Sequence, residues 1–173
     1  MLSAVESPGP ACDCVIVVMG VSGSGKSTIG RLLAERISAE FIDADDLHPA
    51  ENVAKMVAGE PLTDDDRGPW LRLVAAVARE RHGPVVVACS ALRRAYRDLL
   101  RAETGRPVAF AHLDGSRETL AARLDARAGH FMPSSLLDSQ FATLEPLGPD
   151  EDGIVVDIAA EPSRIVAALA AGL

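Results

Sequence analysis

Residues 20–27 read GVSGSGKS, which fits G-x-x-x-x-G-K-[ST] at every fixed position. Glycines at this spacing let successive backbone N–H groups turn inward around a phosphate, and a helix starting behind them presents its positive end to the same anion. Gly20, Ser22, Gly23, Ser24, Gly25, Lys26, Ser27 and Thr28 are therefore the candidate nucleotide-binding residues. In this pattern the Lys26 ammonium reaches the β- and γ-phosphates of ATP, and the Ser27 hydroxyl is a ligand for Mg²⁺. The bland alternative is a tight glycine turn between a strand and a helix. A β-branched apolar run before the loop and a helical apolar pattern after it favour the phosphate-binding reading.

Two more stretches concentrate charge. FIDADDLHPA (41–50) places Asp43 and Asp45 two residues apart at the end of a predicted strand, on one face if the strand persists to Asp45. Asp46 then points elsewhere, as a solvated loop residue or a cap, and His48, before Pro49, reads equally well as a substrate contact or as a structural histidine. In TDDDR (63–67) the aspartates suit the first turn of a helix, but Arg67 is a cation where the helix dipole disfavours one. Trp70, on the same helix, is a candidate contact or simple core. Arg123 and Arg127 lie four apart, on one helical face ahead of Gly129, placed to swing over a nucleotide and offset charge during phosphoryl transfer. Without the glycine loop they would read as a solvated face.

The elements that must hold these residues follow from periodicity. CVIVVM (14–19), EFID (40–43), PVVVAC (84–89), PVAFAHL (107–113) and GIVVDI (153–158) read as strands, the first a continuous run of the kind buried on both faces. A helix follows the glycine loop, and amphipathic segments fall around 49–58, 64–82, 91–103, 116–128, 134–143 and 161–171. Thr63 with Asp66, Ser116 and Ser134 supply N-caps. Alternating strands and helices predict an α/β fold with a parallel sheet and right-handed crossovers.

A length of 173 residues suits one domain, with 1–11 as a loose leader and about 123–143 as a lid region. The net charge of −8 argues against a nucleic-acid partner, whose backbone needs a clustered basic surface. Cys12, Cys14 and Cys89 form neither CxxC nor zinc-ligand spacings, and Cys89 is expected to be a buried thiol. No secretory signal or membrane span is visible, so a cytoplasmic protein is expected. A GTPase would add a guanine-reading NKxD element, and a motor ATPase needs more chain; a small-molecule kinase fits the length.

GVSGSGKS, DADDLHPAEN, GEPLTDDDRGPWL, CSALRRAYRDLLR, ARLDARAGHFM and DSQFATLE, in that order, closely resemble the gluconokinases, from about Val15 to Asp157. The resemblance implies a P-loop three-layer sandwich like that of nucleoside-monophosphate and shikimate kinases. In it, a five-stranded parallel sheet of order 2-3-1-4-5 carries helices on both faces and a small helical lid. It further implies ATP- and Mg²⁺-dependent phosphorylation of D-gluconate to 6-phospho-D-gluconate, and a homodimer. Asp45 becomes the group that accepts the proton of, or orients, the acceptor hydroxyl, and Asp43 a metal ligand by similarity to the DxD of shikimate kinases. Lys26, Asp45 and Arg127 are then the catalytic candidates. Arg67 is placed on the sugar acid, with Trp70 and His48 as candidate contacts to it that could equally be structural. Arg93 would pair with its carboxylate, beside Ser90 at a helix N-terminus, and His130, flanking the lid, and Gln140, on the helix after it, are added mainly by resemblance. Relatives commonly carry CSALKK where this chain has Arg93 and Arg94, a fork in place of a point charge. A shikimate or nucleoside-monophosphate kinase is the rival within enzymes; a module that binds ATP without turnover is the rival outside them.

Overall fold

The computed structural model describes residues 13–126 and 134–173. The strands are β1 (Val15–Met19), β2 (Glu40–Asp43), β3 (Val85–Ala88), β4 (Val108–Asp114) and β5 (Gly153–Asp157). The helices are α1 (Lys26–Arg36), α2 (Ala50–Val57), α3 (Asp64–Arg79), α4 (Arg94–Thr104), α5 (Arg117–Ala126), α6 (Ser134–Thr143) and α7 (Pro162–Gly172), with a short 3₁₀ turn at Ala44–Leu47. The strands form one sheet in the order β2-β3-β1-β4-β5, all pairs parallel, as the resemblance implied.

β1 is central and every one of its residues is buried, which is why its sequence is an unbroken apolar run rather than an alternation. Its odd-numbered side chains, Val15, Val17 and Met19, join Trp70, Leu71 and Val74 of α3 and Leu100 of α4 in one core. The even-numbered Ile16 and Val18 pack on the other face with Ile29 and Leu33 of α1, Leu120 of α5 and Leu169 of α7. Each such aliphatic chain, fully buried, contributes roughly 1.5–3 kcal/mol. With two apolar layers holding it, the sheet is a rigid platform for the loops at its edges.

All five strands end on the same edge, so the glycine loop, Asp43, Ser90 and the loop after β5 share one side of the molecule. In open parallel sheets that edge carries the ligand crevice. Thr63 and Asp66 form a reciprocal capping box at the start of α3. Ser116 Oγ accepts from Thr119 N–H at 3.1 Å ahead of α5.

Two local expectations change. β2 ends at Asp43, and the chain turns into the 3₁₀ segment instead of staying extended to Asp45. Helix α4 starts at Arg94, not at residue 91, because Ala91 takes a left-handed φ of 43° that no helix continues. No helix among the described residues is long and apolar enough to cross a membrane.

Candidate active site

The glycine loop joins β1 to α1 with the backbone reversals its composition suggests. Gly20 lies at φ 147°, where a Cβ would come within 2.8 Å of the Leu113 carbonyl oxygen. Gly25 caps α1 at φ 92° in the left-handed region that only glycine enters cheaply. Three loop N–H groups are used internally: Gly20 donates to Ser90 O (3.4 Å), Ser24 to Val21 O (3.2 Å) and Ser22 to Gln140 Oε1 (2.7 Å). Among the described residues nothing accepts from the N–H groups of Gly23, Gly25, Ser27 or Thr28. Open donors on a helix N-terminus are what an incoming phosphate requires. Lys26 Nζ donates to Val21 O at 3.1 Å, folded over the loop.

The carboxylates stand beside this cradle. Ser27 Oγ donates to Asp43 Oδ2 at 2.6 Å, joining the loop to the end of β2. Asp43 Oδ1 in turn accepts from Asp45 N–H at 3.1 Å and caps the 3₁₀ turn. Thus the two acids are brought together by a turn rather than by strand alternation. Crowding by surrounding protein and then the Asp43 charge raise the Asp45 pKa, against the pull of Lys26 and His48. The Asp45 side chain is nonetheless 79% exposed, so solvent tempers that rise and leaves it open to an acceptor. Asp46 is exposed and belongs to the turn.

His48 and Trp70 support the turn. Their rings stack with centroids 4.0 Å apart and an interplanar angle of 16°. Trp70 is 3% exposed and its Nε1 donates to Ala44 O at 2.8 Å, so of its two readings the structural one fits. The His48 side chain is 4% exposed, with Nδ1 3.4 Å from Asn52 Nδ2 and Nε2 3.8 Å from Asp45 Oδ1. Burial, aided by Arg67, pushes its pKa down although Asp45 pulls upward, so the ring favours the neutral form. The neutral imidazole edge lies beside Asp45 at 3.8 Å, too far for a hydrogen bond.

Arg67 and Arg93 flank one aromatic ring. Their guanidinium carbons lie 5.6 and 5.9 Å from the centroid of Tyr96. The Tyr96 hydroxyl donates to Asp64 Oδ1 at 2.5 Å, and Arg93 Nη1 donates to Asp64 Oδ2 at 3.0 Å. The Tyr96 bond, then Arg93 and Arg67, hold the Asp64 pKa below its ordinary value despite some desolvation. Neither Tyr96 nor Asp64 was singled out from sequence. The signal was present in that Tyr96 lies three residues beyond Arg93, in the first turn of α4.

Ser90 is half-buried in the β3–α4 connection, four residues before α4 begins. It is not at the helix N-terminus, and the first helical N–H there, that of Arg94, already donates to Glu145 Oε2. Behind it sits Arg97, fully buried. Its Nε and Nη2 bond Glu151 at 2.6 and 3.0 Å, and its Nη1 donates to Ala91 O, Leu92 O and Glu145 O at 3.1 to 3.2 Å. Sequence reading missed this pair, 54 residues apart, which clamps the loop before α4 and its left-handed Ala91. Burial lifts the Glu151 pKa, but the bonds from Arg97 and Gly148 and the two arginine charges outweigh it, and the net shift is downward. Burial pushes the Cys89 thiol up to about 12, which makes it a packing group rather than a nucleophile.

Arg123 Nη2 donates to Ile158 O at 2.7 Å, in the loop after β5. Arg127 and His130 lie outside the described residues. Among the described residues Gln140 hydrogen-bonds neither Asp45 nor Arg93. Its amide holds both the N–H and the hydroxyl of Ser22, at 2.7 and 2.9 Å.

A phosphate cradle beside paired carboxylates and an arginine cluster suits a small-molecule kinase, and known proteins resemble this chain. The family model described as an AAA domain matches residues 15–147. The gluconokinase of Gluconobacter oxydans is 50% identical over 155 residues, covering 87% of this chain and 86% of its own. This chain belongs to the gluconokinase family. The thermoresistant gluconokinase of Escherichia coli K12 is 48% identical over 149 residues, with 83% and 84% covered. A gluconokinase structure from Sinorhizobium meliloti superposes with a TM-score of 0.86 at 49% identity, over 94% and 93% of the two chains. A Mycobacterium tuberculosis APS kinase, at 19% identity and a TM-score of 0.65, shares the fold.

Proposed function

We propose that the protein transfers the γ-phosphoryl group of ATP to the primary hydroxyl of D-gluconate, yielding 6-phospho-D-gluconate and ADP. The observation that carries this reading is the placing of Asp43 and Asp45 against the phosphate loop through Ser27. Membership of the gluconokinase family supplies the acceptor.

The open N–H groups of the loop and the Lys26 ammonium bind and orient the triphosphate. Asp45 accepts the hydroxyl proton as the O6–Pγ bond forms, and the electron pair of the breaking Pγ–O bond leaves on the β-phosphate of ADP. The Asp43 cap holds the Asp45 backbone in place for this step, with the neutral His48 imidazole beside its carboxylate. Arg67 and Arg93, spread over Tyr96, bind the carboxylate at the far end of the sugar acid. Arg127 would approach the transferring group and Arg123 the nucleotide, as the resemblance implies.

The Ser27 hydroxyl and the Asp43 carboxylate, 2.6 Å apart, are hard oxygen donors that suit Mg²⁺, which takes one or two protein oxygens alongside phosphates and waters. Bound there with ATP, Mg²⁺ would offset charge on the β- and γ-phosphates. By the same resemblance the enzyme works as a homodimer, which light scattering at assay concentrations checks.

ADP release measured with ATP, Mg²⁺ and a panel of acceptors tests the function. Gluconate should support turnover far above shikimate, nucleoside monophosphates and no acceptor. Preference for another acceptor, or ATP binding without turnover on any, would overturn the proposal.

A further inference from the structure

We infer that Gln140 is a positioning residue of the phosphate loop, serving the nucleotide rather than the sugar acid. The inference rests on reading Gly20–Thr28 as the phosphate site. Loop N–H groups fall into two sets. Those of Gly20, Ser22 and Ser24 are held by protein acceptors. Those of Gly23, Gly25, Ser27 and Thr28 have no acceptor among the described residues. From Ser22 to Gly25 the held and open donors alternate, the pattern of a backbone nest that can face an anion. Two of the three anchors are backbone carbonyls from the core of the sheet edge and the loop itself, Ser90 O and Val21 O. The third comes from a side chain 118 residues away, on α6.

That side chain makes a matched pair of bonds. Gln140 Oε1 accepts from Ser22 N–H at 2.7 Å while its Nε2 donates to Ser22 Oγ at 2.9 Å, so the amide is fixed in orientation as well as place. The helix carrying it is anchored too. Arg117 of α5 grips Asp138 of α6 through two bonds of 2.5 and 3.0 Å. α5 itself presses on the next loop residue: a Cβ at Gly23 would lie 3.0 Å from Leu124 Cγ and 3.4 Å from Leu120 O. The loop tip is thus set from one side by α5 packing and α6 hydrogen bonding. Without Gln140, Ser22 N–H is free to rotate toward other acceptors, and the open donors after it lose their common direction.

The test is Gln140→Met, which keeps the side chain's length and removes both bonds, alongside Ser22→Ala and the double variant. Calorimetric binding of ATP with Mg²⁺ and steady-state KM values for ATP and gluconate are read on each, with melting curves to establish folding. Gln140→Met should bind ATP about tenfold more weakly, with the gluconate KM within about twofold of the parent. Ser22→Ala should weaken ATP slightly by itself and add nothing in the Gln140→Met background. A rise in gluconate KM with ATP binding intact would return Gln140 to the acceptor side. Parent-like values for both ligands, or losses that multiply in the double variant, would equally overturn the inference. Should Gln140→Met not fold, Gln140→Ala, which also removes both bonds to Ser22, is read for the same KM split. The calorimetry needs no acceptor, so failure of the parent on gluconate would sink the proposed function and still leave this inference measured.

Discussion

The two halves of the proposed site are made in different ways. The nucleotide half is backbone from one contiguous stretch, Gly20–Thr28, with its donors aimed by glycine turns and the start of α1. The acceptor half is side chains gathered from the β2 end, α3 and α4: Asp45, Arg67, Arg93 and Tyr96, with Asp64 among them. Backbone donors are not removed when an acceptor-side side chain is replaced, whereas each acceptor contact is lost with its residue. Substitutions in the acceptor half should therefore separate rate and sugar-acid binding from ATP binding.

Asp45→Asn is the largest expected break. It removes the proton acceptor and keeps the shape, so kcat should fall by about 10²- to 10⁴-fold while calorimetric ATP affinity stays within a few-fold of the parent. A parent-like kcat would remove Asp45 from the chemistry. A matching loss of ATP binding would show that the halves are not separable there.

Arg97→Met asks whether the acceptor half depends on its buried clamp. It leaves Glu151 charged and without its main partner in a fully buried position, a situation that costs about 3–5 kcal/mol. A chemical melt should show that loss. Arg97→Met with Glu151→Leu should recover much of it, since replacing a whole buried pair by apolar groups is far cheaper than breaking one. Arg93→Ala is milder in stability and should raise the gluconate KM by about 10- to 100-fold with little change for ATP, the worth of one charge-assisted contact. An equal effect on both substrates would erase the partition.

The same contrast explains what was legible in the sequence. A contiguous backbone motif carries its own spacing, so GVSGSGKS announced its place between β1 and α1, and the alternating apolar runs announced the sheet. Strand order came from family resemblance rather than periodicity, because hydrophobic patterns say which faces are buried and not which strand lies beside which. Assembled side chains leave fainter traces. Asp43 and Asp45 read as a strand pair, yet a cap and a 3₁₀ turn bring them together. Arg97 and Glu151 are 54 residues apart, and nothing local in either segment couples them. Gln140 was placed on the sugar acid by resemblance, since only tertiary packing brings α6 to Ser22. Asp66 looked like an ordinary first-turn acid, but it also joins Lys55 of α2 at 2.8 Å.

That α2–α3 link has a pH signature. The Lys55 hydrogen bond, with those from Thr63, lowers the Asp66 pKa from 3.8 to about 2. A folded-state pKa below the unfolded value stabilises the fold above the unfolded pKa, and the contribution is lost as pH falls through the folded one. Asp66→Asn should therefore lower Tm at neutral pH. The gap to the parent should narrow from about pH 4 and close near about pH 2. A gap that persists in acid would assign the effect to the capping geometry instead of the charge.

The smallest expected effect probes the acceptor half most finely. Asp64 rests on Arg93 and Tyr96, the groups that a sugar-acid carboxylate would seek. The pair is exposed, with Arg93 at 43% and Asp64 at 61%, so water screens it and its own strength is modest. A substrate carboxylate arriving at Arg93 meets the Asp64 charge and must share or displace it. Asp64→Asn keeps a carbonyl oxygen for the Tyr96 hydroxyl and removes the repulsion, so the gluconate KM should fall by about two- to fivefold while kcat and the ATP KM hold. Because Tyr96 and the two arginines keep the Asp64 pKa below its ordinary range, the group is ionised throughout neutral pH, and the gain should not vary between about pH 6 and pH 8. If the gluconate KM rises instead, Asp64 holds Arg93 in its binding pose, and the acceptor half is preorganised by its own carboxylate much as the loop is by Gln140.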